Sequence, residues 1–590
     1  MMKEAIYHRP KNSYAYAYDA HTLHIRLRAK KNDLTGVELI HGDPYAWAEG
    51  HMLSDKTPMQ KQASDELFDY WFIAISPENN RFVYQFEVTD GAETWILGEM
   101  GFTKDVEENR FFRFPYLNAI DVFDAPAWVK DTVWYQIFPE RFANGNPGRK
   151  TNTNGEWGDT PGPDSFFGGD FEGIMQHLDY LAELGITGIY MTPIFTSPTN
   201  HKYDTTDYME IDPQFGDKET FRQLVKACHE RGIRVMLDAV FNHAGYMFAP
   251  FQDVLKHGSK SRYADWFHML SFGEEEGEFP SYESFAFTDN MPKWKTSNPE
   301  VKEYLLGVAK YWIEEFDIDG WRLDVANEVD HKFWREFRNT VRAVKDDVYI
   351  VAEIWNDAMP WLQGDQFDAV MNYPFTEATI DFIAKGKIGP VRYGNLLTSH
   401  LQLYPENVSE VLFNLLGSHD TARILTQCGN DRAKLRLAFL LLFTYPGSPC
   451  IYYGDEVGLT GDGDDFAYYR PCMEWDPAKQ DRELLGFVQR LIAIRKSHSA
   501  LTGNSRLRVL KADDASGVFA FSRSGDGGRG AHEIVVVLNN GDQSADFALP
   551  SAWQGRKAID LWTERELLSE LGIKSITLEP KQFRIIGILK

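Results

Sequence analysis

The chain has 590 residues, 43% hydrophobic and 25% charged, which is ordinary globular usage and excludes a disordered protein. Asp and Glu outnumber Lys and Arg 87 to 61, so the formal charge of -26 argues against nucleic acid as a partner and suits a neutral ligand. Cys228, Cys428, Cys450 and Cys472 form no C-x-x-C pair, the N-terminus lacks the apolar core of a secretory signal, and the longest apolar run, Leu437 to Phe443, is too short to span a bilayer; a cytoplasmic protein with reduced thiols and no membrane partner is expected.

The first stretch alternates in short bursts, LHIRLRA from Leu23, FDYWFIAI from Phe68 and RFVYQFEVT from Arg81, separated by turn sequences. Strands of this length and spacing predict an N-terminal β-sandwich over residues 1–123. From Trp134 the grammar changes to apolar strands alternating with helical patterns. The strands are VWYQIF from Val133, ITGIYMT from Ile186, IRVMLDAV from Ile233, GWRLDVA from Gly320, VYIVAEIW from Val348, FDAVMNY from Phe367, VLFNLLGSHD from Val411 and CIYYGDEVG from Cys450. Helices are predicted at KETFRQLVKACHERG from Lys218 and at PEVKEYLLGVAKYWIEEF from Pro299, the latter with Asn298 as its cap and proline at its first position.

Eight such units predict an α/β (β/α)8 TIM barrel over 124–504, with a small inserted subdomain after strand 3 at about 244–298, a gap too long for a plain connection. After Ser505 the strands GVFAFSRS, HEIVVVLNN, SADFALP and FRIIGIL predict a C-terminal β-sandwich over 505–590.

A barrel of this kind works at the C-terminal ends of its strands. Strand three ends in Asp238, Asn242 and His243, strand four in Arg322 and Asp324, strand five in Glu353 and Trp355, and strand seven in His419 and Asp420. Acids from separate strands meeting at one mouth, with two histidines and one arginine, are costly unless function requires them. With a neutral ligand, that set suits glycosidic cleavage: one carboxylate attacks the anomeric carbon, one delivers a proton to the leaving oxygen, and a third steadies the ring as it flattens. Arg322 and Asp324 are two apart on a strand, hence on one side of the sheet, so the cation is expected to lower the pKa of Asp324 and favour it as nucleophile. Glu353 has no neighbouring cation in sequence and shares a strand face with Trp355, so it is expected to keep its proton as a general acid.

DAVFNH, GWRLDVANEV, EIW and NLLGSHD, in this order, resemble the four signature regions of the α-amylase family of retaining glycoside hydrolases, family 13. The resemblance implies Asp324 as nucleophile, Glu353 as general acid/base and Asp420 as transition-state stabiliser. It implies that His243 and His419 bind sugar hydroxyls, that Arg322 supports the nucleophile, that Tyr203 of HKYD stacks under the ring, and that Asp238 braces Arg322. VELIHGDPYAW from Val37, with FDYWFIAI after it, is similar to the N-terminal domain of the cyclomaltodextrinase, neopullulanase and maltogenic amylase group. MPKWKTSNPEVKEYL from Met291 is similar to that group's MPKLN segment, with Trp294 and Lys295 in place of Leu-Asn. This implies a homodimer in which the N-terminal domain narrows the partner's site, and cyclodextrins and short malto-oligosaccharides as substrates, with pullulan and starch further candidates.

Phe285 and Phe287 either line the acceptor side of the cleft with Trp355 or pack the base of the insertion. Asp465 and Arg470 resemble a donor-side binding pair at a departing spacing. The resemblance also raises a structural calcium at Asn144, Asn146, Gly168 and Asp170, against which Arg149 and Lys150 count, and no organic cofactor. Two other readings stay open: an α-glucan transferase or branching-type enzyme with the same first step, and a non-enzymatic glucan-binding homologue.

Overall fold

A computed structural model describes the chain except residues 108–109, 150–151, 274–278, 504, 526–527, 551–552, 554–555, 568–574 and 590. The expected break at 504 therefore falls outside the described residues, as does Lys150. The central sheet consists of β1 (Trp134–Ile137), β2 (Gly188–Met191), β3 (Arg234–Ala239), β4 (Gly320–Leu323), β5 (Tyr349–Ala352), β6 (Ala369–Val370), β7 (Phe413–Leu415) and β8 (Ser448–Tyr452). All pairings are parallel, from β6 through β5, β4, β3, β2 and β1 to β8 and β7. A parallel bridge between Met371 and Phe413 joins the ends and closes the barrel.

Alternation along each strand sorts the side chains. Trp134, Tyr190, Met236, Tyr349, Val351, Phe413 and Cys450 form one buried cluster, while Tyr135, Ile189, Val235, Leu237 and Ile350 join the cluster that includes helix residues Leu224, Trp312 and Phe337. The first set is the barrel interior. Gln136, Asp238 and Arg322 lie two residues beyond Trp134, Met236 and Gly320, so the same parity sends them into the interior above that apolar floor.

The predicted helices form at Lys218–Glu230 and Pro299–Phe316. In the second, the Asn298 side chain accepts hydrogen bonds from the Glu300 and Val301 N–H groups, and proline takes the first turn, where its missing N–H costs nothing. Between β3 and this helix lie the helix Ala249–His257 and a small hairpin, Met269–Ser271 with Ser281–Tyr282. The segment after it is laced to the end of β3 by bridges between His243 and Lys293 and between Phe267 and Trp294.

The N-terminal sandwich pairs Leu23–Lys30 with Phe68–Ile75 in one sheet and Gly36–Gly42 with Phe82–Thr89 in the other. Leu23, Ile25, Leu27 and Ala29 fill its core, but His24 and Arg26 on the opposite face are buried too. Barrel residues cover that face: Arg26 donates to the Tyr404 carbonyl (2.9 Å), Tyr18 to Glu410 (2.9 Å) and Gln62 to Glu406 (3.0 Å). The C-terminal sandwich is a six-stranded sheet around Val518–Gly525, Glu533–Asn539 and Phe583–Ile588, with a two-stranded sheet, Ala545–Ala548 and Ser575–Leu578, packed on it.

Candidate active site

Arg322 organises the barrel mouth. Its Nη1 donates to both oxygens of Asp238 (3.1 and 3.0 Å) and to Asp324 Oδ1 (2.7 Å), and its Nη2 lies 2.9 Å from Glu353 Oε2. The guanidinium is 1% exposed, and Asp324 and Glu353 are each 6% exposed. Asp238 also accepts from the hydroxyls of Tyr190 (2.6 Å) and Tyr203 (2.8 Å), so it braces Arg322 as expected. Directly after Asp324, Val325 adopts the left-handed backbone region (φ 46), which a β-branched residue takes only under constraint. That turn points the Val325 N–H at Glu353 Oε2 (3.1 Å).

The expected electrostatic contrast between the two acids is not what the structure shows. One guanidinium serves three buried carboxyls, and Glu353, without a cation in sequence, lies within ion-pair range of it. Burial, helped by Glu353 and Asp238, raises the pKa of Asp324 well above the usual carboxylate range despite Arg322, which pulls it down. Burial likewise brings Asp238 up to about 6. Arg322 therefore does not lower Asp324 overall. Trp355 is also misplaced by the sequence reading: β5 ends at Ala352, and Trp355 leaves the strand to stack on Tyr373 (3.6 Å, 8°), 44% exposed at the rim.

Beyond β7, Asp420 lies 3.2 Å from His419 Nε2 and accepts from Arg470 Nη2 (3.2 Å), while Arg470 Nε donates to the His419 carbonyl (2.8 Å). Arg470 thus reaches the site, but it does so by orienting Asp420. Asp465 is not brought to it: its carboxylate caps a short 3-10 helix by accepting from Ala467 N–H. The Tyr203 and His419 rings lie nearly parallel and offset (centroids 5.3 Å apart, 5°), with the Tyr203 hydroxyl 2.8 Å from His419 Nε2. His243 stacks on Phe285 (5.2 Å, 22°), so Phe285 backs the histidine, whereas Phe287 is fully exposed. Burial lowers His243 to about 3 and takes His419 well below the usual range, with Arg470 and Arg322 adding to the latter, so both are neutral. Asn242 accepts from Lys293, which also pairs with Glu328 (3.0 Å).

Sequence reasoning missed Gln136, Tyr190, Tyr373 and Lys293. A polar side chain at interior parity inside the apolar run VWYQIF was the available signal for Gln136. Lys293 stood beside the noted Trp294, and the tyrosines carried no mark that set them apart from core residues.

Of the four residues raised for calcium, Asp170 brings the only carboxylate, and it is poorly disposed towards a cation. Asp170 Oδ1 accepts from the N–H groups of Gly145 (2.9 Å) and Gly173 (2.7 Å), and Oδ2 accepts from that of Asn146 (3.0 Å). Arg149 Nε lies 3.9 Å from the same carboxylate, and Arg149 donates to Glu172. A carboxylate already occupied by N–H donors and faced by a guanidinium has little to offer calcium. Among the described residues, no group of three or more His, Cys, Asp or Glu is placed to hold a metal. Nor is any helix among them long and apolar enough to cross a membrane.

Family models match along the length of the chain. The alpha amylase catalytic domain matches residues 136–476, the alpha amylase N-terminal ig-like domain residues 1–118, and the maltogenic amylase C-terminal domain residues 507–585. The chain is 52% identical to a cyclomaltodextrinase of Geobacillus thermopakistaniensis over 592 residues, covering all of both chains. It is 46% identical to an intracellular maltogenic amylase of Bacillus subtilis, covering 99% of this chain and 98% of the other. A solved cyclomaltodextrinase superposes with a TM-score of 0.92 at 46% identity, covering both chains completely.

Proposed function

This chain belongs to the α-amylase family of glycoside hydrolases, and on that footing we propose that it hydrolyses α-1,4-glucosidic bonds of cyclodextrins and short malto-oligosaccharides with retention of anomeric configuration. The observation that carries the reading is the pair of carboxyls, Asp324 and Glu353, in ion-pair range of one buried guanidinium at the barrel mouth, with Asp420 linked to the same cluster through His419, Tyr203 and Asp238. Asp324 attacks the anomeric carbon and forms a glucosyl ester as the bond to the leaving oxygen breaks. Glu353 gives that oxygen its proton, then as carboxylate takes one from the water that hydrolyses the ester and regenerates Asp324. Asp420, His419 and His243 face the ring hydroxyls, Arg322 supports the nucleophile, and Tyr203 lies beneath the ring. A sugar hydroxyl in place of water yields transglycosylation.

The cyclodextrin preference draws on the names of the relatives and on an arrangement in which the N-terminal sandwich of a second copy narrows the mouth. Two features support such a homodimer. Within one chain the sandwich is fastened to residues 404–410; and Tyr45, Trp47 and Leu53 on it, like Phe287 and Trp355 at the insertion and rim, expose large apolar surfaces. The name of the Bacillus subtilis relative supports a cytoplasmic setting. Initial rates on cyclodextrin, starch and pullulan for the wild type and Asp324→Asn, with the anomer of the first product recorded, test the chemistry: near-full activity of the variant, or an inverted product, overturns it. Removal of residues 1–123 is expected to give monomers that attack starch relatively better.

A further inference from the structure

The hydrogen bonds around His419 run in one direction. The Tyr203 oxygen lies 2.8 Å from Asp238 Oδ2 and 2.8 Å from His419 Nε2, and it has a single proton to give. Asp238, anchored by Arg322 and already accepting from Tyr190, takes that proton as an acceptor. Tyr203 must therefore accept from His419, which places a hydrogen on Nε2. Because the buried ring is neutral, its Nδ1 is bare and has to be met by a donor. Gln136 supplies one: its Nε2 lies 2.8 Å from His419 Nδ1.

We propose that Gln136 is a positioning residue of the glycoside-cleaving site, holding His419 in the Nε2–H tautomer so that its proton faces Tyr203 and Asp420. The inference rests on the function proposed above. Gln136 is held by the barrel itself, buried on β1 with Tyr190 of β2 and Tyr452 of β8 as its register partners. The Nε2–H is shared between the Tyr203 oxygen and Asp420 Oδ2, 3.2 Å away. Asp420 and the Tyr203–Asp238 pair supply the acceptors at Nε2, and Gln136 supplies the donor at Nδ1; of the remaining groups, Arg470 donates to the backbone carbonyl of His419, Arg322 lies beyond Asp238, and the Phe138 ring (6.4 Å) has neither donor nor acceptor. Without the amide, His419 can move its proton to Nδ1, and Tyr203 must then abandon Asp238 to satisfy Nε2.

The test uses the full chain with 15N-labelled histidine, reading the His419 imidazole without substrate, alongside Gln136→Met and Gln136→Glu. The wild type should show Nε2 protonated and Nδ1 bare at neutral pH. Gln136→Met should populate both tautomers and lower kcat about tenfold, the worth of one buried hydrogen bond, with KM within about twofold. Gln136→Glu puts an acceptor at Nδ1, so the ring should take a second proton near neutrality and kcat/KM should gain an ionisation absent from the wild type. A wild-type proton on Nδ1 overturns the proposal, as does a Met variant with wild-type kcat and a single tautomer. If the Met variant does not fold, the wild-type tautomer and the Glu variant decide. The tautomer is read with no glucan present, so its failure is distinct from a failure of the hydrolytic reading, which Asp324→Asn tests.

Discussion

Replacing Arg322 by lysine separates the charge of this residue from its shape. The guanidinium places Nη1 2.7 Å from Asp324 and about 3 Å from Asp238, while Nη2 sits 2.9 Å from Glu353. A lysine keeps the unit charge but offers one nitrogen, which cannot hold three carboxyls on different strands at those distances. At least one charge-assisted hydrogen bond is lost, worth ~1.5–3 kcal/mol. Because the bond fixes the two acids relative to each other, the loss should fall on the transition state and lower kcat/KM by about 10- to 150-fold. The Tm should drop little, since no carboxyl is left without a nearby cation. Initial rates on cyclodextrin, with Tm read in parallel, make the comparison. Activity within about threefold of wild type would show that Arg322 acts as a point charge and that the fork is incidental.

Three further outcomes follow from the same geometry. Burial pushes the Glu456 carboxyl, bonded by Tyr135 (2.8 Å) and Tyr180 (2.6 Å), up to about 7 from an ordinary 4.5. The folded chain thus holds that proton more tightly than the unfolded chain, so the contribution is complete below pH 4.5 and is lost as pH rises through 7, on the order of 3 kcal/mol; Glu456→Gln should flatten the fall in Tm from about pH 5 to 8, and parallel curves would count against this account. A chelator should leave the wild-type Tm unchanged, and Arg149→Asn should introduce a rise in Tm on adding calcium; a chelator-sensitive wild type refutes the argument from Arg149. Trp294→Ala should cost ~3–5 kcal/mol, because the ring is buried among Phe248, Phe267 and Tyr208, and should impair His243 through the adjacent Lys293 bridge, which thermal unfolding and kcat/KM measure together.

Much of the architecture was legible because barrel strands are short apolar runs with polar ends, and the sign of each residue's face follows from counting by two. That rule correctly placed Arg322 and Asp324 on one side. It could not show that Glu353, from the next strand, shares the same guanidinium, because this depends on strand adjacency and on the reach of a long side chain. Trp355 failed for a local reason: β5 stops at Ala352, so alternation no longer applied. Asp465 and Arg470 were close in sequence but answer to different partners, a backbone N–H and Asp420. Arg149 is legible in the sequence as a cation near the calcium candidates, but only the fold turns it towards Asp170 and Glu172.

The imbalance of charge at the mouth is itself consistent with the proposed reaction. Among the described residues, Arg322 is the cation in ion-pair range of Asp238, Asp324 and Glu353, and each of these sites would be more stable when empty if it had its own. A neutral sugar brings no charge to correct the deficit, but the anomeric carbon becomes positive as the leaving bond lengthens. Surplus negative charge, held in place by a single fixed fork and shielded from water, is then stabilising where it was costly before, so the strain of the empty site is released selectively in the transition state. A second buried cation beside Asp324 would relieve the resting protein and remove that difference. The raised Asp324 belongs with this arrangement, and burial keeps His243 and His419 neutral, so neither cancels the charge on which cleavage depends.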